Sequence, residues 1–151
     1  MRIVIDTNIL FSYFRKGSFV NRAVKSGLFN FFSPELATEE LEKHSKLICA
    51  KSGLTKNEFR KALIELKKDV AFISFSEYLP FLSKAILLTN MLNKKDTEEF
   101  LDDIDLFSLC LKLKAPIWSN DGIFKKVSEI ESFTTAELVD ILKSNFGETI
   151  K

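Results

Sequence analysis

Apolar and polar positions alternate along the chain in segments of two different periods. Ile3–Ile5 is a short β-branched run, which predicts a buried strand. Asn8–Phe14 reads as an apolar helix, Arg15–Ser18 as a turn, and Ser18 as the cap of a helix ending near Gly27. Phe29–Phe32 predicts a second strand. Ser33 and Pro34 predict a helix start, a capping hydroxyl and then proline at the first helical position, for a helix running to about Lys51 and stopped by Gly53. Thr55 and Glu58 have capping-box spacing for a helix to about Lys68. Val70–Phe75 predicts a third strand. A helix follows Pro80, and another covers roughly Glu98–Leu113. Pro116–Ser119 predicts a fourth strand, a short helix starts near Asp121, and Ser132-Phe133 can form a small fifth strand. Thr134 and Glu137 repeat the capping-box spacing at the last helix.

Strands alternating with helices predict a three-layer α/β/α sandwich around a mostly parallel sheet of four to five strands. The 151 residues read as one domain, 1–151, with no repeat, linker or low-complexity segment. A hydrophobic content of 46% supports a sizeable core, and the fifteen Phe are spread along the chain as core residues are. The net charge of +1 excludes a strongly basic nucleic-acid coat protein but not a nuclease, whose carboxylates offset lysines. Cys49 and Cys110 lack CxxC spacing and read as reduced core residues of a cytoplasmic protein. The strand beginning at residue 2 leaves no room for a signal peptide, and no apolar run reaches the length of a membrane span.

In parallel sheets ligands bind beyond the carboxyl ends of the strands. Asp6 follows the first strand and Asp121 the fourth, so both fall on one edge. Each alone is also good cap or turn chemistry. Together they repel unless a cation lies between them, and carboxylates with water suit Mg²⁺ or Mn²⁺. The lone His44 excludes a His/Cys zinc cluster. Asp102, Asp103 and Asp105 crowd the start of a nearly all-apolar helix, where they complement its dipole. If both are helical, Asp103 and Asp105 face different ways, so one at most is a direct ligand. In "SPELATEELEKH", Glu40 shares a face with Leu36 and Leu47, whereas Glu39 falls with Glu35 and Lys43 on a solvated one.

"IDTNIL", the acid within "SPELATEELEKH" and "DIDLFSLCLKLKAPIWSND" together resemble the PIN-domain ribonucleases over nearly the whole chain. The last stretch is the most specific: an Asp, an apolar helix with a small residue seven positions on, then a strand ending in Ser/Thr-x-Asp. The resemblance implies an acidic quartet of Asp6, Glu40, Asp103 and Asp121, with Asp105 as the alternative to Asp103. Thr7, Asn8, Ser119 and Asn120 would support it, and Cys110 stands where Ala is commoner. It implies one or two Mg²⁺ or Mn²⁺ ions and hydrolysis of RNA, with Arg15, Lys16, Lys125 and Lys126 as candidate phosphate contacts. Many such proteins are toxins of VapC-like toxin–antitoxin pairs, which brings in an antitoxin and a homodimer as partners. The helix in "SEYLPFLSKAILLTNML" suits helix–helix packing or a dimer surface, and a core role equally.

The alternative within the same fold is a catalytically silent binding module, which would usually lack one or more of the acids. A haloacid-dehalogenase-like site wants a second Asp where Asn8 stands. A receiver-like domain wants an acceptor Asp after the third strand, where Ser74, Ser76 and Glu77 stand instead.

Overall fold

The computed structural model describes residues 1–146; residues 147–151, the end of the expected domain 1–151, lie outside the described residues. Five strands form one sheet: β1 (Arg2–Ile5), β2 (Asn30–Pro34), β3 (Val70–Ile73), β4 (Ile117–Trp118) and β5 (Ser132–Phe133). Their order is β3-β2-β1-β4-β5, and every pairing is parallel. Parallel neighbours need crossovers, and these are helical. Between β1 and β2 lie α1 (Thr7–Leu10), a 3₁₀ turn at Phe11–Phe14 and α2 (Phe19–Lys25). Between β2 and β3 lie α3 (Leu36–Lys43), α4 (Ser45–Ser52) and α5 (Lys56–Asp69). Between β3 and β4 lie α6 (Phe75–Tyr78), α7 (Leu82–Leu87), α8 (Lys94–Asp102) and α9 (Ile104–Leu113). A 3₁₀ turn at Gly122–Lys126 joins β4 to β5, and α10 (Thr135–Phe146) ends the described chain.

The period-2 alternation of β1 builds the three layers. Ile3 and Ile5 point into one core with Phe31, Val70 and Trp118, covered by α1–α5 and α10. Val4 and Ile117 point into the other, with Tyr78, Ala85, Phe100, Phe107 and Phe124. There Phe100, Phe107 and Phe124 stack in series, with ring centroids 3.9 and 4.6 Å apart. That stack ties α8, α9 and the turn after β4 together.

Both capping boxes form as the spacing predicts. Thr55 accepts the Glu58 N–H at 3.1 Å, and Glu58 accepts the Thr55 N–H at 2.9 Å. Thr134 and Glu137 repeat the exchange at 3.1 and 2.9 Å.

Four expectations are overturned. Ser33 and Pro34 do not start a helix but end β2. Pro34 pairs with Ile73, the Glu35 N–H donates to the Ile73 carbonyl at 2.7 Å, and the Ser33 hydroxyl donates to the Ile5 carbonyl at 3.1 Å. Pairing on both sides thus outweighs the local cap signal. The helix expected to Lys51 breaks at His44 and the one over Glu98–Leu113 breaks at Asp103; both residues have non-helical backbone, φ −100°, ψ 19° and φ −109°, ψ 19°. Finally, β3 stops at Ile73, and Phe75 opens α6. Both cysteines are free; Cys110 is buried as expected, and Cys49 only half-buried.

Candidate active site

The strand order reverses direction at β1, whose chain-order successor β2 lies on one side and β4 on the other. In open parallel sheets the crevice beyond such a switch point receives ligands. Asp6 leaves β1 there and Ser119–Asp121 leaves β4.

Asp6 is both a helix cap and a buried acid. Its backbone is extended, one carboxylate oxygen accepts the Asn8 N–H at 3.2 Å, and the other accepts the Ser119 hydroxyl at 2.7 Å. It is only 4% exposed. Burial pushes its carboxyl up; the Ser119 and Asn8 hydrogen bonds oppose this, and the Asp121 charge adds to it. The Ser119 hydroxyl also accepts the Asp121 N–H at 3.0 Å, and Asp121 in turn accepts the Ile123 N–H at 3.2 Å. One buried hydroxyl therefore links the acids after β1 and β4.

Asp103 is the joint between α8 and α9. Its carbonyl starts α9 by accepting the Leu106 and Phe107 N–H groups, while its side chain makes no capping bond and lines the cleft instead. Burial first, then the charges of Asp6, Asp121, Asp102 and Glu99, push its carboxyl up to about 7. Because the joint is not helical, Asp103 and Asp105 both line the cleft, contrary to the argument from a continuous helix. The Tyr78 hydroxyl donates to Asp105 at 2.6 Å.

Glu40, half-buried on α3, lines the same cleft, whereas Glu39 is exposed and does not. The His44 Nε2 lies 3.7 Å from Glu40, and its ring meets Phe11 edge-on. The cleft is about 350 Å³, walled by Asp6, Thr7, Asn8, Glu40, His44, Asp102, Asp103 and Asp105 among others. Asp121 sits beside it, close enough to raise both Asp6 and Asp103.

The remaining candidates lie elsewhere. The Asn120 side chain accepts the Thr135 N–H at 2.8 Å, at the start of α10. Lys125 reaches the Ser132 carbonyl and Glu137, both at 2.7 Å, and Lys126 pairs with Asp96 at 2.8 Å. Arg15 and Lys16 are exposed in the turn at the far end of the α1 and Phe11–Phe14 segment from Asp6. His44 and Asp102 also line the cleft, and Tyr78 stands behind it on Asp105; none of the three is assigned to the site from sequence. The spacing of four between Glu40 and His44 was a usable signal for the first; nothing local connects Tyr78 with Asp105, 27 residues on.

The carboxylates of the cleft suit a hard divalent ion: oxygen donors, partly desolvated and mutually repelling. Among the described residues no three Asp, Glu, His or Cys side chains close on one point, so an ion held here would take water or phosphate oxygens as well.

The family described as PIN domain matches residues 4–139, and the chain belongs to it. Among solved structures it is similar to a chain in the crystal structure of VapBC2 from Rickettsia felis bound to a DNA fragment from their promoter. The TM-score is 0.61 and the identity 14%, over 89% of this chain and 98% of that one, a likeness of fold. No curated protein matches the chain in sequence.

Proposed function

We propose that the chain is a divalent-metal-dependent endoribonuclease, hydrolysing RNA phosphodiester bonds, and the toxin of a toxin–antitoxin pair. The observation that carries this is the gathering of Asp6, Glu40, Asp103 and Asp105 around one cleft, with Asp121 beside it, in a chain of the PIN-domain family. When bound, Mg²⁺ or Mn²⁺ would supply an activated water and charge neutralisation at the scissile phosphate. Asp6 and Asp121, joined through Ser119, would hold it on one side, and Asp103 and Glu40 would hold it or a second ion on the other. Tyr78 fixes Asp105 at the cleft wall.

An antitoxin partner is supported by the fold shared with a chain of the VapBC2 complex. A homodimer is supported by the outward apolar side chains of Phe75, Leu79, Ile86, Leu87, Met91 and Leu101. Two free cysteines suit a reducing cytoplasm, and no described helix is long and apolar enough to cross a membrane.

The test is cleavage of a mixed structured RNA with Mn²⁺, with EDTA, and by Asp6→Asn. Cutting that needs Mn²⁺ and is lost in the variant supports the reading. No cutting by folded protein under any divalent metal turns it toward a silent binding module, and cutting that survives Asp6→Asn rejects the site.

A further inference from the structure

The charge of this chain is unevenly placed. Residues 45–69 hold seven Lys or Arg against three Asp or Glu, a net +4, while the rest of a chain of net +1 is net −3. These residues form a helical hairpin. α4 ends at Gly53, whose φ of 68° supplies the left-handed turn, and the Thr55 capping box opens α5 two residues later. A groove of about 630 Å³ runs between the two helices. Its rim carries Lys46, Lys56 and Arg60, all exposed, with Glu42 as the opposing charge, and Phe59 and Leu63 lie beneath. None of the three cations is in a salt bridge with a described residue, unlike Lys25, Lys125 and Lys126.

The groove and the acidic cleft take wall residues from neighbouring positions at the joint between α3 and α4. Glu40 and His44 wall the cleft, while Glu42 and Ser45, interleaved with them, wall the groove. A cleft lined by carboxylates repels a polyanion, and a net charge of +1 offers no general attraction. A phosphodiester chain reaching such a cleft needs a concentrated cationic surface beside it. Lys125 and Lys126 are held in pairs, so the hairpin is better placed to provide it than the turn after β4.

We propose that the α4–α5 groove is a phosphate-binding track, in which Lys46, Lys56 and Arg60 hold the backbone of single-stranded RNA leading into the acidic cleft. This rests on the nuclease reading above. The contacts are to phosphates, so they set affinity and salt dependence rather than base preference.

The test uses the full chain and a labelled single-stranded RNA. Binding is followed by anisotropy over a salt series in EDTA, and cleavage in Mn²⁺ in parallel. In Lys46→Gln/Lys56→Gln/Arg60→Gln the slope of log affinity against log salt should shrink by about 2, near 0.7 per lost phosphate contact, and binding should weaken about tenfold or more. KM for cleavage should rise with little change in kcat. The charge-retaining Lys46→Arg/Lys56→Arg/Arg60→Lys should bind as the wild type does. Arg2→Gln/Lys112→Gln, at the opposite edge of the sheet, should leave affinity and slope unchanged. Wild-type slope and KM in the triple Gln variant, with the wild type still cutting RNA, would overturn the track, leave the nuclease reading standing and free the groove for an acidic protein segment. A folded wild type that neither binds nor cuts RNA would remove both.

Discussion

The Ser119 hydroxyl donates to Asp6 at 2.7 Å across 113 residues of sequence, and the same oxygen accepts the Asp121 N–H at 3.0 Å. The two acids at the sheet's switch point are thus positioned through one side chain. Ser119→Ala removes the bond that counteracts the burial of Asp6. The variant should need about 10–100-fold more Mn²⁺ for half-maximal RNA cleavage, the usual effect of losing a ligand's orienting partner. A metal titration of activity checks this; an unchanged midpoint would mean that Asp6 needs no such support.

Asp103 predicts a pH dependence of stability. Its folded pKa of about 7 lies well above the unfolded carboxyl value of about 4. Between those values the folded state holds a proton that the unfolded state has lost, so stability falls as pH rises through this window. In EDTA, Asp103→Asn should therefore melt higher than the wild type at pH 8, with the gain gone below pH 4. Thermal melts at the two pH values decide it, each kcal/mol corresponding to about 2–4 °C for a chain of this size. A variant less stable at pH 8 would contradict the assigned burial and repulsion.

Divalent metal should relieve the same repulsion. Mn²⁺ at a hundredfold excess over its dissociation constant should stabilise the wild type by about 2.7 kcal/mol. The shift should be small or absent in Asp6→Asn. Equal shifts in both proteins would place metal binding elsewhere.

The stacked Phe100, Phe107 and Phe124 hold the helices and turn that carry Asp103 and Asp121. Phe107 is fully buried, and Phe107→Ala should cost about 3–5 kcal/mol. Thr55→Ala, which removes only a cap on an exposed turn, should cost about 1 kcal/mol. Denaturant melts compare them, and similar losses would argue that the aromatic stack is not a keystone of this face.

Much of this fold is readable locally. The strands, the caps at Ser18, Thr55 and Thr134, and the stop at Gly53 all follow from residues a few positions apart. The failures have two causes, distance in sequence and helix breaks without a local signal. Ser33-Pro34 is a sound cap signal until β3 pairs with it from 39 residues further on, Pro34 against Ile73. The breaks at His44 and Asp103 have no Gly or Pro to announce them, yet both place a side chain in the cleft. Glu40 lines the cleft with Leu36, one turn before it on α3, and Glu39 does not; Leu47, the other residue of the predicted face, is exposed on α4 past the break at His44. Periodicity fails for Asp103 and Asp105 because it assumes an unbroken helix. The lysines after Asp121 look free in sequence, but their partners Asp96 and Glu137 are brought in by tertiary packing.

The most direct test compares two neighbouring carboxylates. Asp102 is exposed at the cleft rim, and Asp103 is drawn in at the joint between α8 and α9. Initial rates of RNA cleavage in saturating Mn²⁺, with EDTA as the blank, should fall at least about a hundredfold in Asp103→Asn and less than about tenfold in Asp102→Asn, since only the former removes a group proposed to hold the metal. Equal rates in the two variants, or an undiminished rate in Asp103→Asn, would contradict a metal-dependent nuclease site built on Asp6 and Asp103.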